Sequence, residues 1–168
     1  MLKFVERYIT FAEVPDEINL VYSISNCGGT CEGCHSPWLR KDEGFLLQDA
    51  VLKDIEKHKD FISCVCFLGE GNAKEGWKQE WFKLIAAIKS VYPNLKIALY
   101  SGRDTIDLEL AAVLDYYKVG AYKQNKGPLT KTTTNQRMYK IVNNQMNDIT
   151  YKFWRYSYEE DEDRIELR

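Results

Sequence analysis

Three cysteines fall within eight residues, in the run Asn26-Cys27-Gly28-Gly29-Thr30-Cys31-Glu32-Gly33-Cys34-His35. Compact runs of cysteine thiolates hold iron–sulfur clusters. Gly28, Gly29 and Gly33 have no Cβ, so the backbone can wrap closely around a ligand. A four-iron cluster has one more iron than this loop has thiolates. The fourth iron is then open to a small molecule, and that vacancy is the chemistry the motif offers.

Zinc is the competing metal. Structural zinc takes four ligands, often from two C-x2-C pairs. Here a single C-x2-C stands, Cys31 to Cys34, with no second pair at finger spacing. Cys64 and Cys66 are two residues apart and share one strand face, so they could complete a site. Their setting, Ile62-Ser63-Cys64-Val65-Cys66-Phe67-Leu68, reads as core, where a free thiol behaves as a small hydrophobe. His35, beside Cys34, is within reach of a bound cofactor. A direct ligand role is the lesser reading for it, because adjacent side chains rarely face one metal. His58 ends a polar helix face and reads as a surface residue.

The elements that must position this loop alternate between strand and helix. Ile18 to Ile24 reads as a buried strand, and the Gly-rich loop Ser25 to Gly44 follows it. Leu47 to Lys59 has apolar residues at helical spacing. Phe61 to Leu68 reads as a second buried strand, ended by Gly69-Glu70-Gly71-Asn72. Trp77 to Val91 carries a helix face, with Pro93 just past its end. Leu95 to Tyr100 is a third strand, closed by Ser101-Gly102. Asp107 to Val113 reads as helix, Tyr116 to Val119 as a fourth strand, Ala121 to Asn135 as loop, and Asp148 to Trp154 as a last strand. Repeated strand–helix–strand units imply an α/β fold with a mostly parallel sheet and helices outside it. A complete eight-unit barrel takes about 250 residues. The expectation at 168 residues is therefore a partial, open (βα) barrel.

That domain is expected to occupy residues 1–156. Residues 157–168 form an acidic tail with six carboxylates and two arginines, read as solvated, with docking as the minority role. Hydrophobic residues make up 45%, enough for a core. The net charge is -2 and no Lys/Arg run occurs, so nucleic-acid binding has no electrostatic support. Nothing approaches the roughly 18 apolar residues of a membrane helix, and the first residues lack a signal peptide's apolar stretch. Five cysteines, three of them clustered, do not resemble a secreted disulfide framework. A cytoplasmic protein is expected.

The C-x3-C-x2-C loop after the first strand resembles the radical S-adenosylmethionine superfamily. The stretch Cys31-Glu32-Gly33-Cys34-His35-Ser36-Pro37-Trp38 resembles more narrowly the activating proteins of anaerobic ribonucleotide reductase. Leu99-Tyr100-Ser101-Gly102 is similar to that family's strand ending in a hydroxyl residue and glycine. Thr132-Thr133-Thr134-Asn135-Gln136-Arg137 is similar to its NQR segment, which follows a strand and a glycine, here Val119-Gly120. The resemblance covers roughly residues 15 to 142. One departure stands out: the family has two glycines and then an acid after the second strand, whereas here Gly69 alone precedes Glu70 and Gly71 follows it.

The resemblance implies a [4Fe–4S] cluster on Cys27, Cys31 and Cys34, with S-adenosyl-L-methionine chelating the open iron. It puts the Gly69–Glu70 run at the methionyl ammonium, and Gly33, Cys34 and His35 along the adenine. One electron, from a donor such as reduced flavodoxin, would break the sulfonium C–S bond and give a 5'-deoxyadenosyl radical. The radical would take hydrogen from a glycine Cα on the large subunit of anaerobic ribonucleoside-triphosphate reductase. No protein acid or base is needed, so no catalytic side chain is named. Asn135 and Arg137 stand as candidates for structure or partner contact, with structure preferred. Three rivals remain: an activase of a formate-lyase-type glycyl-radical enzyme, a radical enzyme acting on a small molecule, and a zinc-stabilised binding module.

Overall fold

The computed structural model describes residues 1–72 and 76–154. Eight strands form one sheet: β1 (Lys3–Thr10), β2 (Asn19–Ile24), β3 (Phe45–Leu46), β4 (Cys64–Leu68), β5 (Lys96–Tyr100), β6 (Tyr116–Val119), β7 (Arg137–Val142) and β8 (Gln145–Asp148). Their order is β3-β1-β2-β4-β5-β6-β7-β8. The central strands β2, β4, β5 and β6 run parallel. They are joined through α1 (Leu47–His58), α2 (Trp77–Val91) and α3 (Leu108–Ala111). The flanks are antiparallel: β1 lies on β2 and β3, and β7 lies on β6 and β8. The fold is α/β as expected, but the sheet is mixed rather than mostly parallel, and it does not close on itself.

Alternation along the strands divides two cores. Leu20, Tyr22, Ile24, Val65, Phe67, Ile97, Leu99 and Tyr117 face the helices, where they meet Val51 and Ile55 of α1 and Trp81, Ile85 and Ile88 of α2. Val21, Cys64, Cys66, Ala98, Tyr116 and Met138 face the other side, covered by Val14, Ile149 and Phe153. A sheet buried on both faces explains why its central strands read as continuous apolar runs.

Three expectations need correction. β4 begins at Cys64, not Phe61, because the Phe61 and Ile62 amides both donate to His58 O and extend the end of α1. Asp148 to Trp154 is not a strand. β7 and β8 form a hairpin through Asn143 and Asn144, whose φ of 52° and 61° suit a tight turn that asparagine tolerates. A 3-10 turn follows over Thr150–Phe153, with the Asp148 carboxylate accepting from the Thr150 amide at 2.9 Å. The helix expected over Asp107 to Val113 is shorter, Leu108–Ala111, and Asp107 is its cap, accepting from the Glu109 and Leu110 amides. Among the described residues, no helix is long and apolar enough to cross a membrane. The acidic stretch 157–168 lies outside the described residues.

Candidate metal and cofactor site

The cysteine loop leaves the carboxyl end of β2 and is pinned where it closes. The Ser25 amide donates to Lys3 O at 3.0 Å, and the Ser25 hydroxyl to Glu43 O at 2.6 Å. The Asn26 and Cys27 amides donate to Lys41 O and Leu39 O, both at 2.9 Å. A 3-10 turn over Pro37–Arg40 brings the returning chain back. From it, the Arg40 guanidinium donates to Gly29 O at 3.1 Å and Cys31 O at 3.0 Å. One side chain thus gathers the crown of the loop by two carbonyls.

The thiols are free and half-buried. A Cβ added at Gly29 would lie 3.4 Å from the Cys27 sulfur and 3.9 Å from the Cys31 sulfur. The Gly29 amide also donates to Cys27 Sγ at 3.4 Å. Glycine here leaves open the space that the two sulfurs flank. Cys34 sits on the next turn, through Gly33 at φ +66°, with its amide donating to Cys31 O at 3.3 Å. Among the described residues, no group of three or more His, Cys, Asp or Glu side chains is already gathered as a single-ion metal site. A four-iron cluster spreads its sulfur ligands wider than one ion does. The donor set, two thiols at the Gly29 gap and a third on the next turn of the same loop, has the chemistry such a group needs.

Two further segments abut this loop. The run after β4 bends through Gly69 at φ +107° and Gly71 at φ +74°. A Cβ at Gly71 would lie 3.6 Å from Ser25 O, and one at Gly28 would lie 3.6 Å from Asn72 Oδ1. The glycine run and the cysteine loop are therefore neighbours. On the far side, a Cβ at Gly33 would meet Gln124 Oε1 at 3.3 Å and Tyr122 Cε1 at 3.5 Å. Gly33 and His35 are exposed.

The Glu70 side chain is engaged elsewhere. Its carboxylate is buried, pairs with Arg103 Nε at 2.8 Å and accepts from the Tyr117 hydroxyl at 3.2 Å. Its carbonyl accepts from the Trp81 indole at 3.1 Å. Burial, reinforced by the Glu70 charge, pushes the Tyr117 hydroxyl well above its ordinary range. Cys64 and Cys66 are buried in β4, on the face away from the helices, and burial pushes both thiols up. His58 is half-buried in the last turn of α1.

Sequence reasoning missed Lys118. It lies on β6, 7% exposed, on the strand face opposite Tyr117. Its ammonium donates to Gly120 O at 2.8 Å and lies 5.9 Å from the Tyr100 ring centre. No salt bridge to it occurs among the described residues. Burial pulls it down to about 8, and the nearby Cys31 thiol acts on its charge in the opposite sense. A buried cation beside the cysteine loop, with a carbonyl in place of a carboxylate, can receive an anion. The signal was present in the sequence: a lysine inside the otherwise apolar Tyr116-Tyr117-Lys118-Val119.

The Thr132 to Arg137 segment is locked into the fold. Asn135 Nδ2 donates to Ala121 O at 2.9 Å, and Arg137 donates to Thr134 O and Gln136 O, both at 2.9 Å. Gly120, at φ +109°, is where the segment packs: a Cβ there would lie 3.0 Å from Gln136 Cα. Asn135 Oδ1 is buried without a hydrogen-bond partner among the described residues. Set against protein-family models, curated proteins and solved structures, the chain matches none.

Proposed function

We propose that this chain is a glycyl-radical activating enzyme that holds a [4Fe–4S] cluster on Cys27, Cys31 and Cys34, reductively cleaves S-adenosylmethionine, and acts on anaerobic ribonucleoside-triphosphate reductase. The observation that carries the reading is the convergence of the Cys27 and Cys31 sulfurs on the Gly29 gap, beside the Gly69–Asn72 run. The four parallel strands β2, β4, β5 and β6, with both segments at their carboxyl ends, support a partial, open barrel. When bound, the cluster supplies an open iron for the methionyl group and passes on one electron from a donor such as reduced flavodoxin.

The chain's own residues do the placing. Arg40 holds the crown of the loop by Gly29 O and Cys31 O. The backbone of Gly69 to Gly71 is suited to the methionyl ammonium, and the buried Lys118 ammonium to its carboxylate. Gly33, Cys34 and His35 offer backbone along the adenine. Arg137 and Asn135 serve structure, since their polar groups bind the chain itself. The products of the cleavage are methionine and a 5'-deoxyadenosyl radical, which takes a hydrogen atom from a partner glycine.

Anaerobic reconstitution tests this directly. The expected result is about four irons per chain, brown colour, and conversion of S-adenosylmethionine to methionine and 5'-deoxyadenosine with dithionite. Cys31→Ala should lose the iron, and Cys64→Ala should keep it. A colourless protein that binds one zinc would make it a binding module instead.

A further inference from the structure

Glu70 and Arg103 are 33 positions apart in the chain, yet they meet under the candidate site. The Glu70 carboxylate is 6% exposed, a poor place for an unpaired charge. It has two partners, Arg103 Nε and the Tyr117 hydroxyl. Arg103 in turn lies over the Trp77 ring, 4.1 Å from its centre, at the start of α2. Its backbone is tied as well: the Arg103 amide donates to Ser101 Oγ at 3.1 Å, and Arg103 O accepts from the Gly120 amide at 2.6 Å. The ends of β4, β5 and β6 thus converge on one ion pair.

Tyr117 belongs to the helix-side core, so the Glu70 carboxylate is directed toward the helices. The residues after it run along the start of the cysteine loop, with Gly71 against Ser25 O and Ile24 and Asn72 against Gly28. Two left-handed glycines flank Glu70, and glycine holds such a bend only weakly without outside contacts. The bend is anchored at its start by the Gly69 amide, which donates to Tyr100 O at 3.1 Å, and at its middle by Glu70, held by its carboxylate and by its carbonyl on Trp81.

We propose that Glu70 and Arg103 form a positioning pair that holds the Gly69–Asn72 run against the cysteine loop, so that Glu70 serves the site through its backbone neighbours and not by touching the ligand. The identity of that ligand rests on the function proposed above. Lysine at position 103 would keep the charge but lose the planar stack on Trp77.

Hydrogen exchange on the metal-free, reduced protein tests the pair without any cofactor. Arg103→Met and Glu70→Gln should each speed exchange of the Gly69 amide, which donates to Tyr100 O, and of the Trp81 indole N–H, which donates to Glu70 O, by about tenfold or more, because each variant breaks a buried pair. The double variant should add little to the worse single, since the two act as one unit. Arg103→Lys should recover part of the protection. Lys59→Met, which removes an exposed pair with Glu56, should leave both exchange rates unchanged. Unchanged exchange of the Gly69 amide and the Trp81 indole in both Arg103→Met and Glu70→Gln overturns the proposal. In reconstituted protein, both variants should weaken S-adenosylmethionine binding by about tenfold, read from the electron paramagnetic resonance spectrum of the reduced cluster, with iron content unchanged. Lost binding in Glu70→Gln with wild-type binding in Arg103→Met would make Glu70 a direct contact and overturn the positioning role. A wild-type protein that takes up no iron refutes the proposed function, and the exchange result still decides the pair.

Discussion

Lys118 has no carboxylate in a salt bridge with it among the described residues and yet is almost fully buried. Its amine is pulled down to about 8 from 10.5 by burial. Below pH 8 both folded and unfolded chains carry the proton, so the full penalty of burying the ammonium is present. Between about 8 and 10.5 the folded chain sheds the proton while the unfolded chain keeps it, so stability rises with pH across that window. Lys118→Met should therefore stabilise the metal-free, reduced protein at pH 7, by up to about 3 kcal/mol. The gap between variant and wild type should shrink as pH rises from 8 to 10. Urea denaturation at pH 7, 8.5 and 10 measures it, and a gap constant over that range would mean that Lys118 is not strained. On the proposed function the same variant should bind S-adenosylmethionine at least about tenfold more weakly, through loss of a buried charge-assisted hydrogen bond. On the proposed function, Lys118 would cost stability and bind the methionyl carboxylate, a combination expected of a functional site rather than a core. The cysteines were legible from sequence because their relation is local, three thiols in one short loop. Lys118 left a local signal, a lysine inside an apolar strand, but Arg103 left none, because its partner Glu70 is brought to it from the end of another strand.

Among the elements, the central strands and the two long helices were legible from apolar runs and helical spacing. The antiparallel flanks were not. β1 mixes Glu6 and Arg7 among its apolar residues because it lies near the sheet's edge, with only Lys3 and Phe4 covered by β3. The β7–β8 hairpin hides in a polar stretch and depends on Asn143 and Asn144. β3 is two residues long, and its role is to dock the end of the cysteine loop onto β1. Gly44 precedes it at φ +104°, and a Cβ there would lie 2.1 Å from Phe4 O, a backbone atom that cannot step aside without undoing the β1–β3 pairing. Gly44→Ala should lower stability by about 2–4 kcal/mol. It should also raise the alkylation rate of Cys27 in the metal-free protein, because Ser25 closes the loop through the neighbouring Glu43 O. Gly102→Ala is the control: nothing lies within 4 Å of its Cβ and its φ is not left-handed. Its stability should stay within about 0.5 kcal/mol of wild type. Equal losses in the two variants would mean that the clash at Phe4 O does not govern the loop.

For the whole molecule, the decisive fact is that the sheet stays open. β3 and β8 are its two ends, and they do not meet. The face away from the helices is filled by Val14, Ile149 and Phe153 around Tyr116 and Met138, so on the proposed function the ligand lies at the carboxyl ends of the central strands. The cysteine loop, the Gly69–Asn72 run and the Ala121–Gln124 stretch meet there. On the proposed function, the radical forms at that end and must come within van der Waals contact of a glycine Cα hydrogen. A flexible segment of a large partner can reach such an open end, whereas a small substrate would need a more enclosed pocket. Ordering that segment costs entropy, so the affinity should be modest unless other surfaces also dock. The reconstituted protein, mixed without oxygen with S-adenosylmethionine, a reductant and an anaerobic ribonucleoside-triphosphate reductase, should give a glycyl-radical doublet by electron paramagnetic resonance. Replacing the partner's radical glycine by alanine should remove the doublet, while 5'-deoxyadenosine should still form slowly. A doublet on a formate-lyase-type partner and never on the reductase would break the link to the reductase drawn from the Thr132 to Arg137 segment and move the chain to a different glycyl-radical system.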